Sequence, residues 1–308
     1  MKNHYKNIEE LFEKGLIWQA ESSVQKANSF LAKPNTRAFP LARFSIPEID
    51  SALPQQGLAS GCLHEFTLEN AWTSKTKKIW HPPFFIVGYL LSNAFYLNAP
   101  EHKKNLEQSE TKFIAWIGEK VWPTPHLFKK LAALHQSQAK LGLAEDPLLE
   151  NSLFIETKTK KEKLLAMAQT LRAPSVFAVI GDASGLNFAQ TRSLQQSAKE
   201  GQTLCFLLRP PWELVKTSAA HTRWKLHTLC AENSIDAEDN ALNWELTLIN
   251  AKGSINLLDS VDVPRELYWP RSWQIAWKEE NENGANTLGL FSKSKGQDTT
   301  GALALSAA

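Results

Sequence analysis

Short apolar runs alternate with amphipathic stretches through the middle of the chain. The runs are rich in β-branched and aromatic residues and cover 62–66, 113–118, 153–156, 176–180 and 204–208. The stretches between them show helical spacing of their apolar positions and cover 84–97, 126–140, 161–171 and 188–199. Short buried strands that alternate with helices of about ten residues are typical of βαβ units and a mainly parallel sheet. The sequence therefore predicts an α/β fold in which helices flank that sheet.

The pattern changes after Pro211, where helical spacing gives way to alternation with period two. The segments 222–227, 244–249 and 273–277 each alternate polar and apolar side chains, as half-buried strands do. Six of the 11 tryptophans lie in the last third of the chain, so we expect order to about residue 278. These segments predict antiparallel strands added to the sheet at its C-terminal side.

The two ends of the chain differ from this core. Residues 4–31 carry apolar side chains at helical spacing, and such a face could either cover the core or bind a partner. Residues 279–308 lack a core pattern and are expected to be mostly disordered. We therefore predict an N-terminal helical segment (1–43), an α/β core (44–278) and a flexible polar tail (279–308).

Composition narrows the class of protein. Hydrophobic residues make up 43% and charged residues 21% of the chain, which suits a globular protein. The net charge of +2 means that nucleic acid could be bound only through a local patch. The cysteines Cys62, Cys205 and Cys230 have no metal or disulfide spacing, which favours a reducing cytoplasm. Cys62 and Cys205 lie in apolar runs, which favours ordinary core positions for them. No signal-peptide pattern opens the chain, and the apolar stretch 84–97 is too short to span a bilayer.

A degraded phosphate loop follows the first predicted strand of the core. In the window 69–76, Lys75 and Thr76 stand where a P-loop has its lysine and magnesium-binding hydroxyl. Glu69 and Ser74, however, replace the two glycines that let the backbone curl around phosphate. Glu69 also adds negative charge where a polyphosphate would lie. We therefore expect ATP binding to be disfavoured and turnover more so.

Two carboxylates follow other predicted strands. Asp182 could act as a Walker-B-like aspartate and Glu119 as a water-activating carboxylate, because ligands bind at the carboxyl ends of parallel strands. Polar residues at strand ends are also ordinary loop chemistry, and we favour that interpretation. His64 lies inside a predicted strand, where a hydrogen-bonded core histidine is the favoured reading. The sequence thus predicts no catalytic residue.

Cations and aromatic residues are interleaved near the change of pattern. Such a segment suits single-stranded nucleic acid, since cations bind phosphate and aromatic rings stack on bases. Alternation along a strand would instead place the rings in the core, and both interpretations stay open. The candidate nucleic-acid-binding residues are Arg209, Lys216, Arg223 and Lys225, with Trp212 and Trp224 beside them.

An ordered set of short segments runs from about residue 44 to residue 278. The segments are 49–53 (IDSAL), 57–58 with Gly61, 63–65 (LHE), 191–195 (TRSLQ), 218–224 (SAAHTRW) and 272–277 (SWQIAW). Taken together they resemble the ImuA family, the RecA-like inducible-mutagenesis proteins of bacteria, although Thr191 stands where that family has an arginine. The resemblance implies a RecA-like core and an accessory role in SOS-induced, error-prone translesion DNA synthesis.

The resemblance also implies partners. These are an ImuB-like homologue of Y-family polymerases that lacks catalytic residues, and a second DnaE-type polymerase. The leading hypothesis is therefore a non-catalytic protein that bridges partners of a mutagenic polymerase complex. A divergent RecA-like ATPase using Lys75, Thr76, Asp182 and Glu119, or a single-stranded-DNA-binding protein, are the alternatives.

An apolar cluster interrupts the polar tail. Residues 287–291 (TLGLF) resemble the pentapeptide that bacterial polymerases insert into the sliding clamp, with Thr287 in place of the usual glutamine. Leu288, Leu290 and Phe291 could fill an apolar pocket on the clamp or on the ImuB-like protein. The other interpretation, which we weigh as somewhat stronger, is that the cluster folds back onto the core.

Overall fold

The core is described by a computed structural model that covers residues 41–69, 79–97, 112–136, 147–229, 243–252, 271–278 and 287–290. All of these residues belong to one compact unit, 40–308. No helix in these ranges has the length and apolar character needed to cross a bilayer.

The secondary structure follows the predicted alternation closely. The strands are β1 (Leu41–Ala42), β2 (Leu58–Ala59), β3 (Leu63–Glu69), β4 (Phe113–Ile117), β5 (Ser152–Ile155), β6 (Val176–Asp182), β7 (Leu204–Leu208), β8 (Thr222–Leu229), β9 (Asn243–Ala251), β10 (Arg271–Lys278) and β11 (Thr287–Leu290). The helices are α1 (Pro47–Asp50), α2 (Phe84–Leu97), α3 (Pro125–Gln136), α4 (Pro147–Glu150), α5 (Lys160–Arg172) and α6 (Phe188–Gly201), with single 3₁₀ turns at Glu119–Val121 and Pro211–Glu213.

A nine-stranded sheet organises the described residues, in the order β11-β10-β9-β8-β3-β7-β6-β4-β5. The strands from β8 to β5 in this order are parallel to their neighbours, whereas β9, β10 and β11 are added antiparallel. The predicted fold class is confirmed: a mainly parallel sheet with flanking helices and antiparallel strands at the C-terminal side. One strand differs from expectation, because β8 pairs in parallel with β3 and only its other edge is antiparallel.

Helices cover both faces of the parallel part of the sheet. Apolar residues of α2 and α3 pack on one face, together with Phe66, Phe206 and Trp224. Met167 and Leu171 of α5 and residues of α6 pack on the other face. Because both faces are covered, the central strands are apolar throughout, as expected for buried parallel strands.

The ends of the helices depend on local chemistry that composition did not reveal. A capping box starts α5 at Thr159 and another starts α6 at Asn187. At the end of α6, Gln202 takes the left-handed conformation that often ends a helix, at φ 53°. The preceding residue must be a glycine for close packing, because a Cβ on Gly201 would lie 1.8 Å from the carbonyl oxygen of Leu171.

Strand pairing reaches beyond both ends of the predicted core. β1 pairs with β2, so Leu41 and Ala42 belong with the core rather than with the N-terminal segment. β11 pairs with β10, and Leu288 is buried. Residues 287–290 are therefore part of the sheet and not of a flexible tail. The sheet pairs their backbone groups and buries the Leu288 side chain.

Candidate functional site

The carboxyl ends of β3, β4, β6 and β7 lie along one edge of the sheet, where α/β proteins bind ligands. β3 ends at Glu69. Lys75 and Thr76 of the predicted phosphate loop follow it, but they lie outside the described residues. The site is therefore built here from the neighbouring strand ends, which the structure does describe.

Asp182, the candidate Walker-B-like residue, ends β6 at this edge. Its Oδ2 accepts a hydrogen bond of 2.8 Å from Nζ of Lys163 on α5, and its Oδ1 accepts one from the backbone N–H of Ser184. Both side chains are about nine-tenths buried. Since both oxygens are engaged and the charge is already neutralised, the residues present do not fit a magnesium-binding aspartate.

Gly118 brings the ends of β4 and β6 together. It has φ 98°, and a Cβ there would lie 3.0 Å from Cβ of Asp182 and 3.6 Å from Cδ of Lys163. Glu119, the second candidate carboxylate, begins the 3₁₀ turn that follows. A glycine is required at 118 because the ion pair occupies the space that a side chain would need.

A second ionic cluster lies beneath the loop that follows β7. Arg209 is fully buried and donates through Nη2 to Oε1 of Glu65, at 3.0 Å, and through Nη1 to Oε2 of Glu213, at 3.1 Å. The same Nη1 also donates to the carbonyl oxygen of Leu186. Arg209 thus joins β3, the loop after β6 and the loop after β7.

The two carboxylates of this cluster have further partners. Glu65 accepts from Ser218 Oγ and, at 3.0 Å, from Nε of Arg223. Glu213 accepts from the N–H of Gly185 and from Nζ of Lys216. Burial by itself would raise the pKa of Glu213, but hydrogen bonds from Lys216 and Gly185 and the nearby cations hold it below its ordinary value. Glu213 therefore stays ionised at neutral pH.

The four cations proposed for nucleic acid are all held by carboxylates. Arg209 cannot reach a phosphate in this structure, which corrects its assignment as a nucleic-acid contact; its guanidinium is buried by β3 and the loops around it. Arg223 pairs with Glu65, Lys216 with Glu213 and Lys225 with Glu69. Lys216 and Lys225 remain partly exposed, with side-chain exposures of 49% and 29%.

Three segments that carried the family resemblance meet in one place. Gln195 Oε1 accepts from the N–H of Leu63. Thr191 Oγ1 accepts from the N–H of Ala219, at 3.0 Å. Glu65 binds Ser218 and Arg223, so the segments 63–65, 191–195 and 218–224 hold one another through hydrogen bonds.

His64 is a core residue, as favoured from the sequence. Its Nε2 faces the carbonyl oxygen of Ala59 and its Nδ1 lies 2.9 Å from Oγ1 of Thr222, which in turn accepts from Trp224 Nε1. Nε2 must therefore carry the hydrogen, and Nδ1 accepts. Burial lowers the pKa of His64 to about 3, so the imidazole is neutral at physiological pH and belongs to the hydrogen-bonded core.

The remaining sequence predictions fall as follows. Leu288 is buried and Leu290 packs against the core, so these two residues adopt the fold-back arrangement and are not free to dock on a partner; Phe291 lies outside the described residues.

Cys205 is buried in the core, as expected, while Cys62 is only partly buried; Cys230 lies outside the described residues. In the described ranges, no group of three or more His, Cys, Asp or Glu side chains could hold a metal ion.

The sequence reasoning missed Lys163, Glu65 and Glu213 as partners of the named residues. Lys163 is buried although it lies in the lysine-rich stretch 158–163, whose charges are typical of a solvated helix face. The available signal was a carboxylate within an otherwise apolar strand, since a charge such as Glu65 is almost never fully buried unless it is paired.

No family model matches the sequence, and no curated protein matches it. Among solved structures, the chain is similar to the crystal structure of the RadB recombinase. The identity is 12%, the TM-score is 0.46, and the alignment covers 82% of this chain and 100% of that chain.

Proposed function

We propose that this chain is a RecA-like, non-catalytic accessory protein of SOS-induced, error-prone translesion DNA synthesis, and that it bridges partners of a mutagenic polymerase complex. The proposed partners are an ImuB-like inactive homologue of Y-family polymerases and a second DnaE-type polymerase. The specific role comes from the resemblance of the ordered segments to the ImuA family.

One observation carries the non-catalytic part of the proposal. Lys163 neutralises Asp182 at the strand end where an ATPase would need a free carboxylate for its metal ion. Glu69 and Ser74 in place of the loop glycines point the same way. A protein that works by holding partners needs neither a free carboxylate at this strand end nor glycines in the loop.

The mutual contacts of the three family-like segments support a structural role for those residues. The side chains of Glu65, Thr191 and Gln195 form hydrogen bonds with residues of the other two segments or of the neighbouring loop. Their chemistry therefore maintains the core and its loops, and the functional surface is formed by the residues that these loops present.

The first experiment mixes the purified chain with the ImuB-like protein encoded in the same genome, followed by size-exclusion chromatography at micromolar concentration. We expect a stable complex that an unrelated polymerase does not form. Absence of a complex with either proposed polymerase partner would refute the bridging role.

Calorimetric titration with ATP and magnesium tests the enzymatic alternative. We expect no binding, and the same result for Lys75→Ala. An ATP affinity that Lys75→Ala and Asp182→Asn both abolish would establish the ATPase alternative instead.

A further inference from the structure

An apolar patch is exposed where two loops meet at the carboxyl edge of the sheet. Phe188 begins α6 and is 46% exposed, Trp212 lies in the 3₁₀ turn after β7 and is 37% exposed, and Val215 is 91% exposed. Exposed apolar groups that lie together, rather than singly, mark interaction surfaces. We call these three residues the loop patch.

The two loops that carry these three residues are bound to each other by hydrogen bonds. Both carboxylate oxygens of Glu213 accept from the N–H of Gly185, at 3.0 Å, and Arg209 Nη1 donates to the carbonyl oxygen of Leu186. Arg223 Nη2 donates to the carbonyl oxygen of Leu214, directly before Val215.

This network orders the loops that carry the exposed apolar side chains. Glu213 and Arg209 are buried, and their hydrogen bonds to Gly185 and Leu186 fix the backbone of the facing loop. A surface that is already ordered loses little conformational entropy when a partner binds. The hydrogen bonds of the buried charges therefore order the loops that carry the loop patch before any partner binds.

The rim of the patch is positive. Lys160 donates to the carbonyl oxygen of Gly185, and Arg192 is exposed one helical turn after Phe188. The nearby carboxylate, Glu213, is buried and already holds two cations. Charge complementarity thus favours a partner that carries acidic residues around an apolar centre.

Single-stranded DNA fits the same surface less well. Phosphate binding draws on cations that are not already neutralised, whereas Arg209, Arg223, Lys216 and Lys225 are each paired with a carboxylate. What the loops offer freely is apolar area with a modest positive rim.

We propose that the loop patch is the docking site for a short amphipathic segment of a partner protein, with apolar side chains at its centre and acidic residues at its edge. This inference rests on the proposed accessory function and names the surface through which it acts. Trp212 is the central anchor, since tryptophan dominates binding free energy at such sites.

The test compares Trp212→Ser/Val215→Ser with the matched control Leu165→Ser, which removes an apolar side chain of 54% exposure from α5, outside the patch. Leu165 and Val215 are mostly exposed, so the control and a Val215→Ser single variant should keep the parent's thermal stability. Trp212 is 37% exposed, so the double variant should lose some stability, and binding is measured well below its melting temperature. Binding to the ImuB-like protein should weaken at least about tenfold in the double variant and stay unchanged in the control. If the parent forms the complex and the double variant binds equally well, the docking surface is wrong and the proposed function stands.

A second measurement does not depend on that partner. The parent is titrated with a synthetic amphipathic helix bearing Leu, Phe and Glu, with the same helix bearing Lys for Glu, and with an oligothymidine, while sedimentation reports self-association. Preference for the acidic helix, lost in the double variant, supports the proposal. The proposal is overturned if the lysine helix binds equally well or if neither helix binds. It is also overturned if the oligothymidine binds through the patch or if the protein self-associates through the patch. If neither polymerase partner binds but the acidic helix does, the accessory function fails and the docking surface stands.

Discussion

Two buried ionic sites lie at the same edge of the sheet, and they are built differently. At the ends of β4 and β6, Lys163 and Asp182 form a simple pair with about a tenth of each side chain exposed. Beneath the loop after β7, Arg209 is wholly buried and is shared between Glu65 and Glu213, which bind further partners. The pair neutralises one carboxylate, whereas the cluster ties strands and loops together.

This difference decides what each site contributes. Burying charge is costly, and a simple pair recovers that cost only if its geometry is good. In the cluster each charge has two or more partners, so removing one residue leaves several groups unsatisfied. We therefore expect the cluster to govern stability and the arrangement of the loops, and the pair to govern the chemistry of Asp182.

The largest expected effect is that of Arg209→Met. It leaves Glu65 and Glu213 buried without their shared cation, and we expect a loss of about 3–5 kcal/mol in the free energy of unfolding. Urea denaturation measures it. Arg209→Met/Glu65→Gln should recover part of the loss, because one orphaned charge is removed. A loss as small as that of a surface substitution would show that the cluster is not the main support of these loops.

Lys163→Met should have a smaller effect, about 2–3 kcal/mol, because only one carboxylate loses its cation and Asp182 keeps the Ser184 N–H. Lys163→Met/Asp182→Asn should return most of that stability, since it removes both charges. If the single variant is as damaging as Arg209→Met, the contrast between the two sites does not hold.

A buried polar residue that carries no charge sharpens the comparison. The pKa of His64 is lowered to about 3, and burial also lowers that of His221. As the pH falls, the unfolded chain binds protons on these histidines before the folded chain does. The stability that comes from burying the neutral His64 ring is therefore complete above about pH 6.5 and is lost as the pH falls toward 3. For His64 we expect a loss of about 2 kcal/mol between pH 7 and pH 5.

Denaturation curves at several pH values test this expectation, with His64→Gln as the non-titrating control. The difference between parent and variant should shrink as the pH falls. Protonation of the His64 ring above pH 6, followed by NMR, would contradict it. Either measurement separates the cost of burying a neutral imidazole from the cost of burying the charged groups of the two ionic sites.

The smallest effect is expected at the exposed pair of Arg172 and Glu200, whose side chains are 47% and 43% exposed. Arg172→Ala should leave the melting temperature unchanged within error, because solvent screens exposed pairs. A clear drop in melting temperature would mean that exposure is a poor guide to the worth of an ion pair in this protein.

Much of the fold could be predicted from the sequence. The strand 204–208 was placed without error, and the helices beginning near residues 161 and 188 were placed to within two residues at each end. Short apolar runs between helical patterns allow few other structures, because a strand covered on both faces must be apolar throughout. The site was predicted less well. The periodicity and composition of a sequence indicate which residues are buried, but they do not indicate which charged side chains pair with each other.

Sequence pattern alone thus determined the α/β class, the position of the central strands and the core position of His64. Tertiary structure alone decided that β8 pairs in parallel with β3, that Arg209 is buried, and that Lys163 reaches Asp182. The reason is physical. Local patterning fixes which face of an element is apolar, whereas the pairing of charges depends on which strand ends and loops are brought together from distant parts of the chain.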